Sequence, residues 1–308
     1  MMQGRQGMRP KSLGILRPAV APARGWGRGV VLKSRHELEC MQAAGRVTAS
    51  ALRAARDVIR PGMTTADINA AAAEVLRKHG AQAAFLGYGQ PPFPAVTTVS
   101  VNEELVHGIP GPRRLKEGDI VSVDCGAVVE GFVGDAAFTW GVGQVSGEAL
   151  RLMQTTLEAL WAGIDQMRPG NHTGDVSAAI QQCVERAGFN VVREYTGHGV
   201  GRRMHEDPMV PNYGTAGKGL VLRRGMTIAL EPMVLAGSPQ TEVLGDQWTV
   251  VSADGRLTAH FEHTVAVTEA GPWVLTAQES DLDEEGGFRY NDYFAGPAAR
   301  PAASREPS

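Results

Sequence analysis

The chain repeats itself, and this limits what it can fold into more than any other feature. Residues 59–80 read IRPGMTTADINAAAAEVLRKHG and residues 167–188 read MRPGNHTGDVSAAIQQCVERAG. Both carry R-P-G-x-x-T-x-D, then an aliphatic residue, x-A-A and a terminal glycine. The local physics is shared. Pro-Gly stops one helix, a threonine caps the next, and a glycine beyond its end lets the chain leave in a left-handed conformation. The helix expected over 34–60 opens with a capping box, Ser34-x-x-Glu37, and its counterpart is expected to begin near Ser146. The repeat runs on into strands, where LKEGDIVSVDC (115–125) matches LRRGMTIALEP (222–232). A helix–helix–strand unit of roughly 108 residues thus occurs twice. Two such halves are expected to face each other across a pseudo-two-fold axis. Chance likeness of two amphipathic helices does not account for helix, turn and strand matching in the same order.

Around this body the composition excludes several classes. A net charge of −3 offers no excess that points to nucleic acid or membrane. No run of 18 apolar residues is present, and the start lacks the apolar stretch of a secretory signal. Cys40, Cys125 and Cys183 stand apart with no C-x-x-C pair, which suits a reducing cytosol, so a cytoplasmic site is expected. Residues 1–36 hold eight Lys or Arg and no acid. Segment 1–33 therefore reads as a disordered basic tail, with an rRNA- or phosphate-contacting arm and a transit peptide as open alternatives. The expected organisation is this tail, a body over 34–275 with halves at about 34–145 and 146–275, and a partly disordered tail over 276–308 that carries the acidic cluster Asp281, Asp283, Glu284 and Glu285.

The chemistry gathers where acids interrupt apolar strands. Asp124 ends the apolar strand expected over 119–124, and the repeat puts Glu231 at the equivalent position of 226–231. A carboxylate there is costly unless it meets a proton, a cation or several donors. Two such groups at a pseudo-symmetric centre repel, and a bound cation resolves the conflict. Asp135 lies 11 residues after Asp124, on the far arm of a hairpin expected to turn near Glu130-Gly131. With a two-residue loop, an odd separation puts both side chains on one sheet face, opposite or one diagonal apart. The second half offers Glu262, in the strand expected over 260–267. Singly, each acid reads as a strand-end hydrogen-bonding or exposed group. Four of them in matching hairpins, with a histidine, suit two divalent first-row ions with bridging carboxylates. His198 sits in a glycine-rich segment, His205 follows seven residues later, and His107 precedes the first long strand pair. The shared H-G-[IV] context of His107 and His198 puts one histidine of each half near the same centre.

With these residues assembled, the chain resembles the type I methionine aminopeptidases, peptidase family M24, of pita-bread fold. The matching pieces are SVNEELVHGIP, VSVDCGAVVEGFVGD, YTGHGVGRRMHEDPMVP, MTIALEPM and FEHTVAV, in the family's order over about residues 34–275. The resemblance implies an α+β fold: two pseudo-symmetric halves, a central curved antiparallel sheet and helices outside. It implies Asp124, Asp135, His198, Glu231 and Glu262 as ligands of two divalent ions (Co, Mn, Fe or Zn), Asp135 and Glu262 bridging them. Glu231 would also act in catalysis, with His107 and His205 as non-ligand groups that contact substrate. A methionine side-chain pocket carries over onto Phe93, Thr98, Met204 and Trp248. Thr98 departs from a common cysteine, and Met204 from a common aromatic. The expected activity is removal of the initiator methionine before a small second residue, from peptide or nascent-chain N-termini, by a monomer in transient contact with ribosomes and with no affinity for DNA or membrane. An Xaa-Pro aminopeptidase or prolidase-like metallopeptidase of the same fold is the alternative.

Overall fold

Ser34 caps the first helix as its sequence predicts. Glu37 N donates to Ser34 Oγ at 3.3 Å, and Ser34 N donates to Glu37 Oε2 at 2.9 Å. The computed structural model describes residues 29–277, so the reading of 1–28 and 278–308 falls outside the described residues. Helix α1 (Arg35–Val58) is followed by α2 (Thr65–Lys78), and the second half repeats the pair with α3 (Gly147–Asp165), capped by Ser146, and α4 (Thr173–Arg186). Gly80 and Gly188, with φ of 61° and 82°, follow the ends of α2 and α4. One expectation is corrected here. Thr64 caps α2, but His172 caps α4, its N–H donating to Asp175 Oδ2 at 2.6 Å. The repeat's matching threonines, Thr65 and Thr173, are first helical residues whose hydroxyls are engaged elsewhere. Thr65 Oγ1 donates to Gly111 O at 3.1 Å, and Thr173 Oγ1 accepts from Leu220 N at 3.1 Å.

The same backbone bonds tie each helix pair to its strands. Gly62 N donates to Leu115 O at 2.8 Å, and Gly170 N to Leu222 O at 3.0 Å. Thr65 N reaches Arg113 O at 3.0 Å, and Thr173 N reaches Leu220 O at 2.9 Å. The internal repeat is therefore a repeat of hydrogen bonding as well as of sequence.

The first half contributes β1 (Gln82–Ala83), β2 (Thr97–Val101), β3 (Glu104–Val106), β4 (Ile120–Val129) and β5 (Phe132–Gly141). The second contributes β6 (Asn190–Val191), β7 (Thr196–Gly199), β8 (Glu206–Pro211), β9 (Thr227–Leu230) and β10 (Met233–Leu235). It continues with β11 (Thr241–Val243), β12 (Val250–Ser252), β13 (Thr258–His260), β14 (Glu262–Thr268) and β15 (Gly271–Val274). Nine strands form one curled antiparallel sheet in the order β1-β4-β5-β14-β9-β7-β8, with β2 also on β4 and β15 on β14. Strands of both halves meet at β5–β14, in the middle of that sheet. The fold is α+β, as expected.

Two strand expectations need correction. Asp124 does not end its strand: β4 runs on to Val129, because CGAVV still pairs with β5. The run 260–267 is broken at Phe261, where the chain leaves a three-stranded sheet, β13-β10-β6, and enters the central one. The β4–β5 turn is as expected, with Val129 paired to Phe132 and Glu130 and Gly131 at φ of 51° and 76°. Helix α1 lies on β5 nearly backbone to backbone: a Cβ at Gly134 would overlap the backbone of Ala44 and Gly45, well inside the 3.0 Å that Cβ atoms keep from their neighbours. This contact fixes the height of β5, and with it Asp135, against α1.

Candidate metal centre

Strand register alone brings the acids together. Thr98 pairs with Asp124, Asp124 with Ala137, and Ala137 with Glu262, so these four side chains share one face in one row. Leu230 pairs with His263, which sets Glu231, one residue on, beside Glu262. The adjacent row runs from Gly126 to Asp135, then through the mutual bonds of Asp135 and Thr264 to Ala229 and His198. Asp124 and Asp135 thus stand one diagonal apart on the same face. Two rows hold all four acids and the histidine.

The distances match this layout. One donor atom each from Asp135, His198 and Glu262 lies within 4.8 Å of the others. His198 Nε2 is 3.4 Å from Glu231 Oε1 and 3.9 Å from Asp135 Oδ2. Its Nδ1 is 3.0 Å from Gly199 O, and since a carbonyl only accepts, Nδ1 carries the hydrogen and Nε2 turns a lone pair to the acids. Glu231 is steadied through its backbone, where Asn212 Nδ2 donates to Glu231 O at 2.9 Å.

The electrostatics are those of a cation site. Burial, then the charges of Asp135 and Glu231, push the Asp124 carboxyl well above its usual range. Burial and then Asp135 do the same to Glu231, and burial with Asp135, Asp124 and Glu231 raises Glu262. Burial lifts Asp135 to about 7, with hydrogen bonding to Glu262 pulling the other way. Burial holds His198 down to about 4, keeping it neutral and able to ligate. Asp124 Oδ1, Asp135 Oδ1 and Glu262 Oε1 are buried with no hydrogen-bond partner among the described residues. Mutually repelling acids with orphaned oxygens and a lone pair aimed among them fit divalent ions.

A cavity of about 100 Å³ opens beside them. For scale, a void of about 150 Å³ holds one benzene, so this one takes a single side chain. Phe85, Tyr88, Phe93, Thr98, Met204 and Trp248 line its apolar part, and His107 and His205 stand between these and the acids. Trp248 is held by Nε1–H donation to Pro91 O at 3.1 Å and by edge-on contact with Phe93, centroids 5.2 Å apart. His107 sits in the left-handed region at φ 61°, edge-on to Tyr195 and Trp248, and burial lowers it to about 4. Burial, then His198 and His107, hold His205 well below its usual range. The loop before His205 is anchored by a buried ion pair, Lys33 Nζ to Glu206 Oε2 at 2.7 Å.

Every candidate ligand, catalytic and pocket residue named from the sequence lines this one cavity. Sequence reasoning missed Phe85 and Tyr88, which lie in the irregular stretch FLGYGQPPF, where no periodicity marks a facing side. It also missed His260, whose Nε2 comes 3.7 Å from Glu231 Oε2. The clue there was position, since His260 is two residues from Glu262 in a quoted strand.

Comparison with known proteins agrees with this geometry. The model of the family described as metallopeptidase family M24 matches residues 39–269. The chain is 47% identical over 248 residues to the methionine aminopeptidase of Clostridium perfringens, covering 80% of this chain and 98% of that protein. It is similar to the solved methionine aminopeptidase of Thermotoga maritima at 49% identity and a TM-score of 0.79, covering 81% of this chain and 100% of that one. The prolidase of Pyrococcus furiosus, 24% identical with a TM-score of 0.66 over 81% of this chain and 66% of its own, shares the fold.

Proposed function

This chain belongs to metallopeptidase family M24, and we propose that it is a methionine aminopeptidase, removing the initiator methionine from peptides and nascent proteins with a small second residue. The observation that carries this reading is one cavity of about 100 Å³ whose lining joins apolar walls, Phe93, Met204 and Trp248 among them, to the two rows of acids. We propose that Asp124, Asp135, His198, Glu231 and Glu262 would hold two divalent ions. The oxygen-rich donor set accepts Co, Mn, Fe or Zn, and cellular supply chooses among them. Such ions, when bound, supply Lewis acidity, lowering the pKa of water and polarising a carbonyl.

The protein's own groups do the rest. Phe93, Thr98, Met204 and Trp248 take the methionine side chain, Met204 and Trp248 gripping its thioether. Glu231 removes the proton of the attacking water and delivers it to the departing amine. His205 donates a hydrogen bond to the developing oxyanion, and His107 contacts the scissile amide nitrogen. Free methionine and a shortened chain leave.

No helix among the described residues is long and apolar enough to cross a membrane. We further propose a cytoplasmic monomer whose basic segment touches ribosomes. Deleting residues 1–28, which spares the buried Lys33, is expected to reduce co-sedimentation with ribosomes; unchanged binding ends that part. The activity itself is tested by stripping metal, restoring it, and assaying Met-Ala-Ser against Ala-Pro and Gly-Pro. Metal-dependent release of methionine alone is expected, and cleavage of only the proline dipeptides would overturn the reading.

A further inference from the structure

His198 and His205 lie side by side, ring centroids 4.3 Å apart, yet they meet opposite partners. At Nδ1, His198 meets a carbonyl oxygen, which only accepts. At Nδ1, His205 meets the hydroxyl of Tyr88, 2.6 Å away. A hydroxyl can donate or accept, and two observations decide between these. The separation is short even for O–H donation and below the usual 2.7–3.2 Å span of N–H donors. The Tyr88 hydroxyl meets no other protein group among the described residues, so His205 Nδ1 is the one acceptor they offer its hydrogen. Tyr88 is also firmly seated, its N–H bonded to Phe85 O at 2.9 Å and its carbonyl accepting from Phe93 N at 2.8 Å.

We infer that Tyr88 donates its O–H to Nδ1 of His205, so that the ring hydrogen of His205 sits on Nε2. The two neighbouring imidazoles are thereby assigned opposite tautomers by their partners. His198 presents a lone pair from Nε2 and can bind a cation; His205 presents N–H from Nε2 and can donate to an oxyanion but not ligate. Tyr88 is a positioning residue that acts through His205. Without its hydroxyl the ring is free to move its hydrogen to Nδ1, losing the donor and exposing a competing lone pair. The catalytic consequence rests on the role proposed for His205; the tautomer does not.

The test is two-bond nitrogen–proton NMR on zinc-loaded protein labelled with ¹⁵N-histidine, with His205 signals identified by their loss in His205→Gln. The wild type is expected to show the Nε2–H pattern at His205. Tyr88→Phe, which keeps the ring, is expected to lose that pattern, and its kcat on Met-Ala-Ser to fall on the order of tenfold to a hundredfold with KM within about twofold. A wild-type His205 with its hydrogen on Nδ1 overturns the inference without any variant. So does a Tyr88→Phe protein that keeps the Nε2–H pattern, whereas one that loses it at unchanged kcat would overturn the role proposed for His205 and leave the tautomer assigned. Wild-type inactivity on every methionyl peptide would fault the proposed function instead, while the spectrum alone decides the tautomer.

Discussion

Glu231 is fixed at both ends, its carbonyl bonded by Asn212 at 2.9 Å and its carboxylate 3.4 Å from His198 Nε2. It is proposed both to hold an ion and to act as the base, so Glu231→Gln is expected to cut turnover by about 10³-fold or more while circular dichroism stays that of the folded protein. Near-normal turnover would remove Glu231 from the mechanism. His205→Ala is expected to lower kcat about 100-fold with bound metal little changed; loss of metal from a folded variant would make His205 a ligand. The acids were legible at this scale because a repeat marked Asp124 and Glu231 as equivalents, and strand parity placed Asp135 beside Asp124. Tyr88 was not legible. Its role depends on a contact 117 residues away, made from a Gly- and Pro-rich stretch that has no period to read.

Among the elements, α1 and β5 matter most, because β5 carries Asp135 and sits where the two halves join. A methyl group at Gly134 would meet the backbone of Ala44 and Gly45, and one at Gly45 would strike the carbonyl of Leu275. Neither backbone can yield as a flexible side chain would. Gly134→Ala is therefore expected to cost about 1–3 kcal/mol, lowering Tm by about 2–4 °C per kcal/mol; a Tm unchanged in a melting experiment would show that α1 shifts freely. Helix starts at Ser34 and Ser146 were readable from capping chemistry, and the β4–β5 hairpin from its turn. The break at Phe261 and the continuation of β4 past Asp124 were not. Those strands are buried on both faces and show no apolar–polar alternation to mark where pairing changes partners.

At the scale of the whole molecule, the acids couple folding to pH and to metal. Asp135 rises to about 7, and Asp124, Glu231 and Glu262 also rise well above their ordinary range, so the folded metal-free chain holds protons that the unfolded chain releases. Raised carboxyl pKa values contribute stability that is lost as pH climbs. The buried histidines, held down by burial, act oppositely, but their contribution is complete above the ordinary histidine range. Metal-stripped protein is thus expected to lose thermal stability as pH climbs from about 6.5 through about 7, the value to which Asp135 is raised, and saturating divalent cation to flatten that slope. A metal-free Tm flat across this window would mean that the acids are not held protonated by burial and by one another's charge.

The central claim is that side chains from two related halves converge on a pair of cations. Anomalous diffraction from crystals soaked in manganese tests it most directly. Two peaks are expected between the two rows, with oxygen or nitrogen atoms of Asp124, Asp135, His198, Glu231 and Glu262 at about 2.0–2.3 Å and both peaks touching Asp135 and Glu262. Peaks elsewhere, or a single ion that leaves two or more of these five side chains uncoordinated, would contradict it.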